Sequence, residues 1–520
     1  LHARGGVAPR VVIATRGGRQ TTSAPGAEAR VDAAAAALWG FGRALRDEQP
    51  ELGLRLVDLD PAADASEAAT AVLGVLATPS LQDDLVHRAG AWLSPRLARE
   101  APPRLERSFW PSRGATLITG GLGDLGLAVA RHLAEIGSGP LVLLSRTPLP
   151  PRSEWVGLDP GTPVGARVAT LRALEQRGVA VEAHSVDVSD GDALDAFLRS
   201  READARPEIV AVVHAAGTLD SHLVRDLSAE ALERVLAGKV GGAFALDRAF
   251  PDVERFVLFS STSAMMPHPG EANYAAANAV LDALAEDRRG RGLEAQSINW
   301  GVWRDSGLIA DEHGARYVEE LGRQGIGSMP PDIAVRVLAW LAGSGHTRAF
   351  VAPIDWEQYG GSRSEDRIDP LFRALAVDTA AQSRSVRDDL RGLPERERVD
   401  ALRDLVREIA GNVLGVGASG VRQGVTFGAQ GMDSLMAMEF RNHLEARLRI
   451  AVSATIAWNY PTLDALAAYL SQQLAGESTP DSHDTAPTRD DQPDDVIARH
   501  ARDVAGLSDD EALRELLGDR

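Results

Sequence analysis

The chain has 520 residues, 44% hydrophobic and 25% charged, with a formal net charge of −19. That balance is ordinary for a water-soluble globular protein of several domains, and the basic stripe that nucleic-acid binding requires does not appear in the sequence. There are no cysteines, so disulfides, thiolate metal sites and a cysteine nucleophile are excluded. The twelve histidines form no HExxH-type cluster, so no metal site is expected.

The first residue is Leu1, and neither a signal-peptide pattern nor an apolar run of membrane-spanning length follows. A cytoplasmic protein without membrane or nucleic-acid partners is expected, cut from something longer because its first strand needs an earlier part of a sheet. Residues 11–100 read as α/β, with a strand at Val11–Thr15, a helix at Val31–Arg46 and a strand at Leu54–Asp60. No phosphate loop follows the first strand, so this half is expected to hold no nucleotide.

Residues 110–356 alternate apolar runs with helical patterns. The runs are Thr116–Thr119, Leu141–Ser145, Val181–Val188, Ile209–Ala215, Arg255–Ser260, Ala295–Trp300 and Ala349–Pro353. Seven buried strands separated by helices predict a Rossmann-like doubly wound parallel sheet. Residues 357–397 are polar and broken, and read as a linker. Residues 398–475 predict a small helical bundle, with helices at Val399–Leu414, Ser434–Leu448 and Thr462–Leu474. Residues 476–493 have the composition of a flexible linker, and 494–520 return to helical periodicity in an acidic tail.

The first strand of the larger unit runs through Thr119 into Gly120-Gly121-Leu122-Gly123-Asp124-Leu125-Gly126 and then a helix. Glycines permit close backbone approach to a pyrophosphate, and the helix N-terminus offers unpaired N–H groups to it. The next strand ends in Ser145-Arg146, where an arginine suits a 2′-phosphate and a carboxylate would suit a free ribose hydroxyl. The expected cofactor is therefore NADPH. Asp187 and Val188 end the third strand, where such a pair meets the adenine.

Tyr274 and Asn278 lie one helical turn apart after the fifth strand, whose carboxyl end carries Ser261, and Lys239 precedes that strand. Hydride delivery to a ketone leaves an alkoxide that needs a proton donor. A tyrosine hydroxyl is a reluctant donor near neutrality, and a lysine cation beside it eases the transfer. A serine hydroxyl polarises the carbonyl, and Asn278 is suited to positioning Lys239 or a relay water.

These residues, with Val213-His214-Ala215-Ala216-Gly217 and Asn299-Trp300-Gly301, resemble the ketoreductase domains of modular polyketide synthases, within the short-chain dehydrogenase/reductase superfamily. The resemblance implies a truncated structural subdomain without cofactor over 1–108 and a catalytic subdomain over 109–360. It implies Tyr274, Ser261, Lys239 and Asn278 as catalytic residues. Thr119, Gly120, Gly121, Gly123, Leu125, Gly126, Ser145, Arg146, Asp187, Val188, Ala215, Ala216 and Gly217 are implied for the cofactor. One stereochemical class carries Leu-Asp-Asp where this chain has Leu219-Asp220-Ser221. The other carries a tryptophan at the place of Met266. Neither pattern is complete, so Asp220, Ser221 and Met266 leave the hydroxyl configuration open. The segment Arg304–Pro331 resembles the family's mobile lid.

After the linker over 361–397, Gly431-Met432-Asp433-Ser434-Leu435 resembles the attachment motif of acyl carrier proteins. This implies 4′-phosphopantetheine on Ser434, a carrier over 398–475, and acids such as Glu439 and Glu445 turned toward basic patches of partner enzymes. After the flexible linker over 476–493, the helices expected in 494–520 resemble a docking segment. The implied partners are an acyl-phosphopantetheine substrate, other domains of the same synthase, a downstream synthase polypeptide and a phosphopantetheinyl transferase, in a homodimeric parent. The alternative reading is a reduction-silent scaffold or epimerase attached to a carrier.

Overall fold

The computed structural model describes residues 11–19, 32–78, 84–99, 110–304, 306, 312–361, 368–376, 390–414, 416–448, 450, 452–453 and 455–476. The first α/β unit contains β1 (Val12–Arg16), α1 (Ala33–Glu48), β2 (Arg55–Leu59), α2 (Ala65–Ala77), β3 (Asp84–Arg88) and β4 (Ala91–Leu93). Its sheet order is β1-β2-β3-β4, with β4 alone antiparallel. Helix α2 and the β3–β4 hairpin were not expected from the sequence. The former starts at a capping box formed by Asp64 and Glu67. The latter opens on buried Asp84, which is paired with Arg43 and Arg46 of α1.

The second unit contains β5 (Ala115–Thr119), α3 (Asp124–Glu135), β6 (Leu141–Ser145), α4 (Pro163–Gln176), β7 (Val181–Ser185), α5 (Gly191–Ala203) and β8 (Ile209–His214). It continues through α6 (Ala229–Leu236), α7 (Gly242–Ala249), β9 (Arg255–Ser261), α8 (Ala272–Gly290), β10 (Gln296–Trp300), α9 (Glu312–Arg323), α10 (Pro331–Leu341) and β11 (Arg348–Val351). The sheet is parallel throughout, in the order β11-β10-β9-β8-β5-β6-β7. All seven expected strands are present. Apolar side chains on both faces bury them between two helical layers, as a doubly wound sheet requires. The order in which successive strands are added reverses between β5 and β8, which opens a crevice at the carboxyl ends of those strands.

The two units meet through α1 and α8. A Cβ on Gly40 would lie 2.2 Å from the carbonyl oxygen of Ala275, so only glycine lets α1 approach this closely. The non-catalytic half thus backs the helix that carries Tyr274.

The expected linker over 361–397 needs correction. Within it, residues 368–376 pack on the reductase, with Leu371 and Phe372 buried beside α11 (Trp356–Gly361). Phe372 stacks on Trp356 at 5.9 Å, and Leu371 O accepts a hydrogen bond from Leu97 N. These apolar residues are too few to make a periodic signal in a polar stretch. Leu390, also inside the expected linker, joins the core of the helical bundle.

That bundle has helices at Glu395–Val413, Ser434–Leu448, Ile456–Asn459 and Leu463–Gly476 around Phe427, Phe440, Leu444 and Leu470. The short Ile456–Asn459 turn was not expected. No helix among the described residues is long and apolar enough to cross a membrane. The expected docking segment 494–520 and nearly all of the flexible linker 476–493 lie outside the described residues.

Candidate active site

Strand β5 delivers the glycine loop to the crevice. A Cβ on Gly126 would lie 2.3 Å from Gly120 O, so the loop folds back on the first turn of α3 only with glycine there. Gly123 occupies the N-cap of α3 with no capping side chain, which leaves the helix N-terminus facing the groove. Thr119, Gly120, Gly123, Leu125, Gly126, Ser145, Arg146, Asp187, Val188 and Ala215–Gly217 line this groove together. Gly121 instead packs beneath, where a Cβ would meet Leu143 at 2.8 Å. Asp187 is tied to Ser189 Oγ at 2.6 Å and Ser189 N at 2.9 Å, and this bonding holds its carboxyl below the usual range. The groove also contains Arg167 of α4 and Arg234 of α6, two further arginines that no sequence motif marks. The donor set fits a dinucleotide with an added phosphate.

Leu125, Ala215 and Gly217 line both this groove and an adjoining cavity. Lys239, Ser261, Met266 and Tyr274 all border that cavity. Lys239 sits in a π-helical turn, Ala237–Gly241, between α6 and α7. Its Nζ lies 3.5 Å from Tyr274 Oη and 4.7 Å from the centre of the tyrosine ring. Such single π turns recur at functional sites. Ser261 ends β9, with its Oγ accepting from Ser263 N at 3.2 Å. Phe259, Trp300 and Trp303 give the cavity an aromatic side.

Asn278 is fully buried. Its amide donates to Tyr274 O at 2.8 Å and Ser263 Oγ at 3.2 Å, and its Oδ1 takes no hydrogen bond from the described residues. These contacts make no direct bond to Lys239. A chain of bonds supports Asn278 from below. Ser260 Oγ donates to its carbonyl at 3.1 Å, and Asn299 Nδ2 reaches Ser260 Oγ and the Asp282 carboxylate.

His214 joins the two halves of the site. Its Nδ1 lies 2.8 Å from Thr119 Oγ1, and its Nε2 lies 2.8 Å from Lys239 O. Burial pushes the imidazole down to about 4, so it stays neutral. In sequence, His214 lies inside the Val213–Gly217 motif with nothing local to assign it a role.

Asp220 and Ser221 do not border the cavity. Asp220 is held by Arg234 at 2.7 Å and His222 at 2.8 Å, and Ser221 is exposed. Leu219 and Met266 do border it. Two further lining residues, Glu271 and Tyr317, carried no sequence signal. Tyr317 lies on α9, within the expected lid, and donates from Oη to Glu271 Oε1 at 2.9 Å. Burial raises the Glu271 carboxyl to about 7, the bonds from Tyr317 and His268 N opposing it.

In the helical bundle, Ser434 is the first residue of its helix, and Asp433 Oδ1 caps Met436 N at 2.8 Å. The expectation for Glu445 is overturned. It is buried and accepts Val452 N at 2.9 Å, because the chain turns back against that helix at Ile450–Ser453. The Glu439 side chain lies outside the described set.

A Rossmann-type reductase joined to a helical carrier is the class that this fold and site define. Residues 114–305 match the model of the KR domain, residues 404–470 that of the phosphopantetheine attachment site, and residues 3–97 that of the polyketide synthase extender module SpnB Rossmann fold domain. The ketoreductase from the first module of phoslactomycin biosynthesis in Streptomyces sp. HK803 is 32% identical with a TM-score of 0.60. That comparison covers 70% of this chain and 80% of the other. An A1-type ketoreductase structure is 35% identical, with a TM-score of 0.59 over 68% of this chain and 71% of that one. Polyketide synthase GfsB of Streptomyces halstedii is 35% identical across 97% of this chain, which spans 9% of that protein. A phenolphthiocerol/phthiocerol polyketide synthase of Mycobacterium tuberculosis is 37% identical across 84% of this chain, which spans 22% of it. The chain belongs to the ketoreductases of modular polyketide synthases, with a phosphopantetheine-attachment domain behind the reductase.

Proposed function

We propose that the chain reduces a β-ketoacyl thioester to a β-hydroxyacyl thioester, with the acyl group held on phosphopantetheine at Ser434. The observation that carries this reading is the 3.5 Å approach of Lys239 Nζ to Tyr274 Oη at the edge of a cavity shared with Ser261. The glycine loop and Arg146 would hold NADPH, which would supply the hydride. Tyr274 gives its proton to the β-oxygen as the carbon–oxygen double bond becomes a single bond. Lys239 stabilises the charge left on the phenol oxygen. Ser261 donates to the same β-oxygen and orients the carbonyl. Asn278 fixes the turn that presents Tyr274, and its free Oδ1 suits a relay water leading to Lys239. Asp187 and Val188 would hold the adenine end of that cofactor, and Ala215 and Gly217, which border both groove and cavity, would lie between it and the substrate.

In this reading the reductase extends to about residue 376, with 368–376 packed on it, and the carrier runs from Leu390 to Gly476. A phosphopantetheinyl transferase modifies Ser434, and 494–520 recruits a downstream synthase polypeptide in a homodimeric parent. Met266, with Asp220 and Ser221 acting through the Leu219 loop, governs the face of attack. The test is Ser434→Ala. It should abolish the mass gain of phosphopantetheine loading while reduction of a free β-ketoacyl thioester continues. Loading on another residue would refute the tether, and loss of reduction with the fold intact would refute the separation of roles.

A further inference from the structure

The carrier meets the reductase at a few places, and the chemistry there is opposite to that expected of its motif helix. Glu445 turns inward, whereas Arg441 is buried with Nη1 3.7 Å from Asp47 Oδ1, at the carboxyl end of α1. Ser453 Oγ donates to Glu48 O at 3.2 Å, with both residues buried. At the carboxyl end of α1, the Asp47 carboxylate thus meets a cation of the carrier and the Glu48 carbonyl a hydroxyl.

Glu48 also faces the other way. Its carboxylate accepts Val224 N at 2.7 Å and Gly270 N at 2.9 Å. Val224 follows the Leu219–Asp220 loop, and Gly270 precedes Tyr274 by one helical turn. The residue whose backbone receives the carrier thus anchors both loops beside the substrate cavity. A second carrier contact reaches α9, where Arg323 Nη1 lies 3.3 Å from His443 Nε2.

We propose that the carboxyl end of α1, at Asp47 and Glu48, is the docking surface for the chain's own carrier domain, engaged through Arg441 and Ser453. The inference rests on the reductase-plus-carrier reading. The Asp47–Arg441 pair supplies charge complementarity that selects the carrier. Seated there, the carrier bears on the two loops held by Glu48 and on the helix expected to close the cavity.

The test uses the full chain loaded on Ser434 with a β-ketoacyl group, followed in single turnover. Beside it runs the same acyl group as an N-acetylcysteamine thioester, which needs no carrier. Arg441→Glu and Asp47→Lys should each slow tethered reduction about ten-fold and leave the free thioester within about two-fold, and the paired exchange should recover most of the loss. Unchanged tethered rates in both single variants, or no recovery in the pair, would overturn the proposal. Phosphopantetheine loading verifies the carrier fold. If Arg441→Glu does not load, Asp47→Lys decides alone. If the unaltered chain reduces neither substrate, the reductase reading has failed, and cross-linking tests the docking independently. The sequence holds no cysteine, so Asp47→Cys with Arg441→Cys presents a single thiol pair. A short bis-maleimide should join it faster than Asp47→Cys with Arg422→Cys, and equal rates would overturn the proposal.

Discussion

Lys239 Nζ stands 3.5 Å from Tyr274 Oη, although 35 residues and a β-strand separate the two in sequence. A π turn aims the lysine, and the amino-terminal turn of α8 aims the tyrosine. The pair carries the proton half of the proposed reduction. Removing the phenol oxygen should therefore leave binding intact and stop proton delivery. Tyr274→Phe is expected to lower kcat roughly 100- to 10,000-fold, with NADPH affinity by fluorescence titration nearly unchanged. A Phe variant that retains its rate would remove Tyr274 from the chemistry.

Arg146 borders the groove where the second strand of the sheet ends. A charge-assisted bond to a 2′-phosphate typically contributes about 1.5–3 kcal/mol. Arg146→Ala should therefore raise KM for NADPH about 10- to 100-fold and leave KM for NADH nearly constant. Equal effects on the two cofactors would exclude a 2′-phosphate contact. If Arg167 shares the phosphate, the double variant should fall further than either single one.

Glu271 predicts a pH signature. Its carboxyl is raised from 4.5 to about 7, chiefly by burial. Between those values the unfolded chain releases this proton while the folded chain keeps it, so stability falls as pH rises through the interval and levels off above it. The full effect is about 3 kcal/mol. Glu271→Gln should flatten this slope in denaturant titrations at pH 5 and pH 8 and be the more stable form at pH 8. An unchanged slope would contradict the burial argument. Tyr317→Phe removes the bond to α9 and should raise KM for the thioester more than it lowers kcat.

The glycine loop tolerates no side chain at Gly126, where a Cβ would lie 2.3 Å from Gly120 O. Gly126→Ala should lower stability by about 1–3 kcal/mol and weaken NADPH binding, because the loop must open to admit the methyl group. A variant that binds NADPH normally would mean that the loop does not cradle the pyrophosphate.

Much of this was legible in the sequence because it is local. Strand β5, the glycine loop and α3 are contiguous, and Tyr274 and Asn278 share a helix. The Asp433-Ser434 start of the carrier helix follows from capping chemistry alone. What stayed hidden depends on contacts between distant segments. Nothing near Glu48 indicates that its carboxylate will bond Val224 and Gly270, 176 and 222 residues away. Tyr317 meets Glu271 only because α9 folds over the cavity. Glu445 read as a surface acid until the turn at Val452 gave it a partner. Leu371 and Phe372 are too isolated in a polar stretch for periodicity to mark them as buried.

The most direct test of the central claim follows NADPH absorbance while the unaltered chain acts on a β-ketoacyl N-acetylcysteamine thioester. The account predicts one NADPH oxidised for each β-hydroxyacyl thioester formed. A folded, NADPH-binding protein that consumes none would contradict it and leave a reduction-silent scaffold in its place.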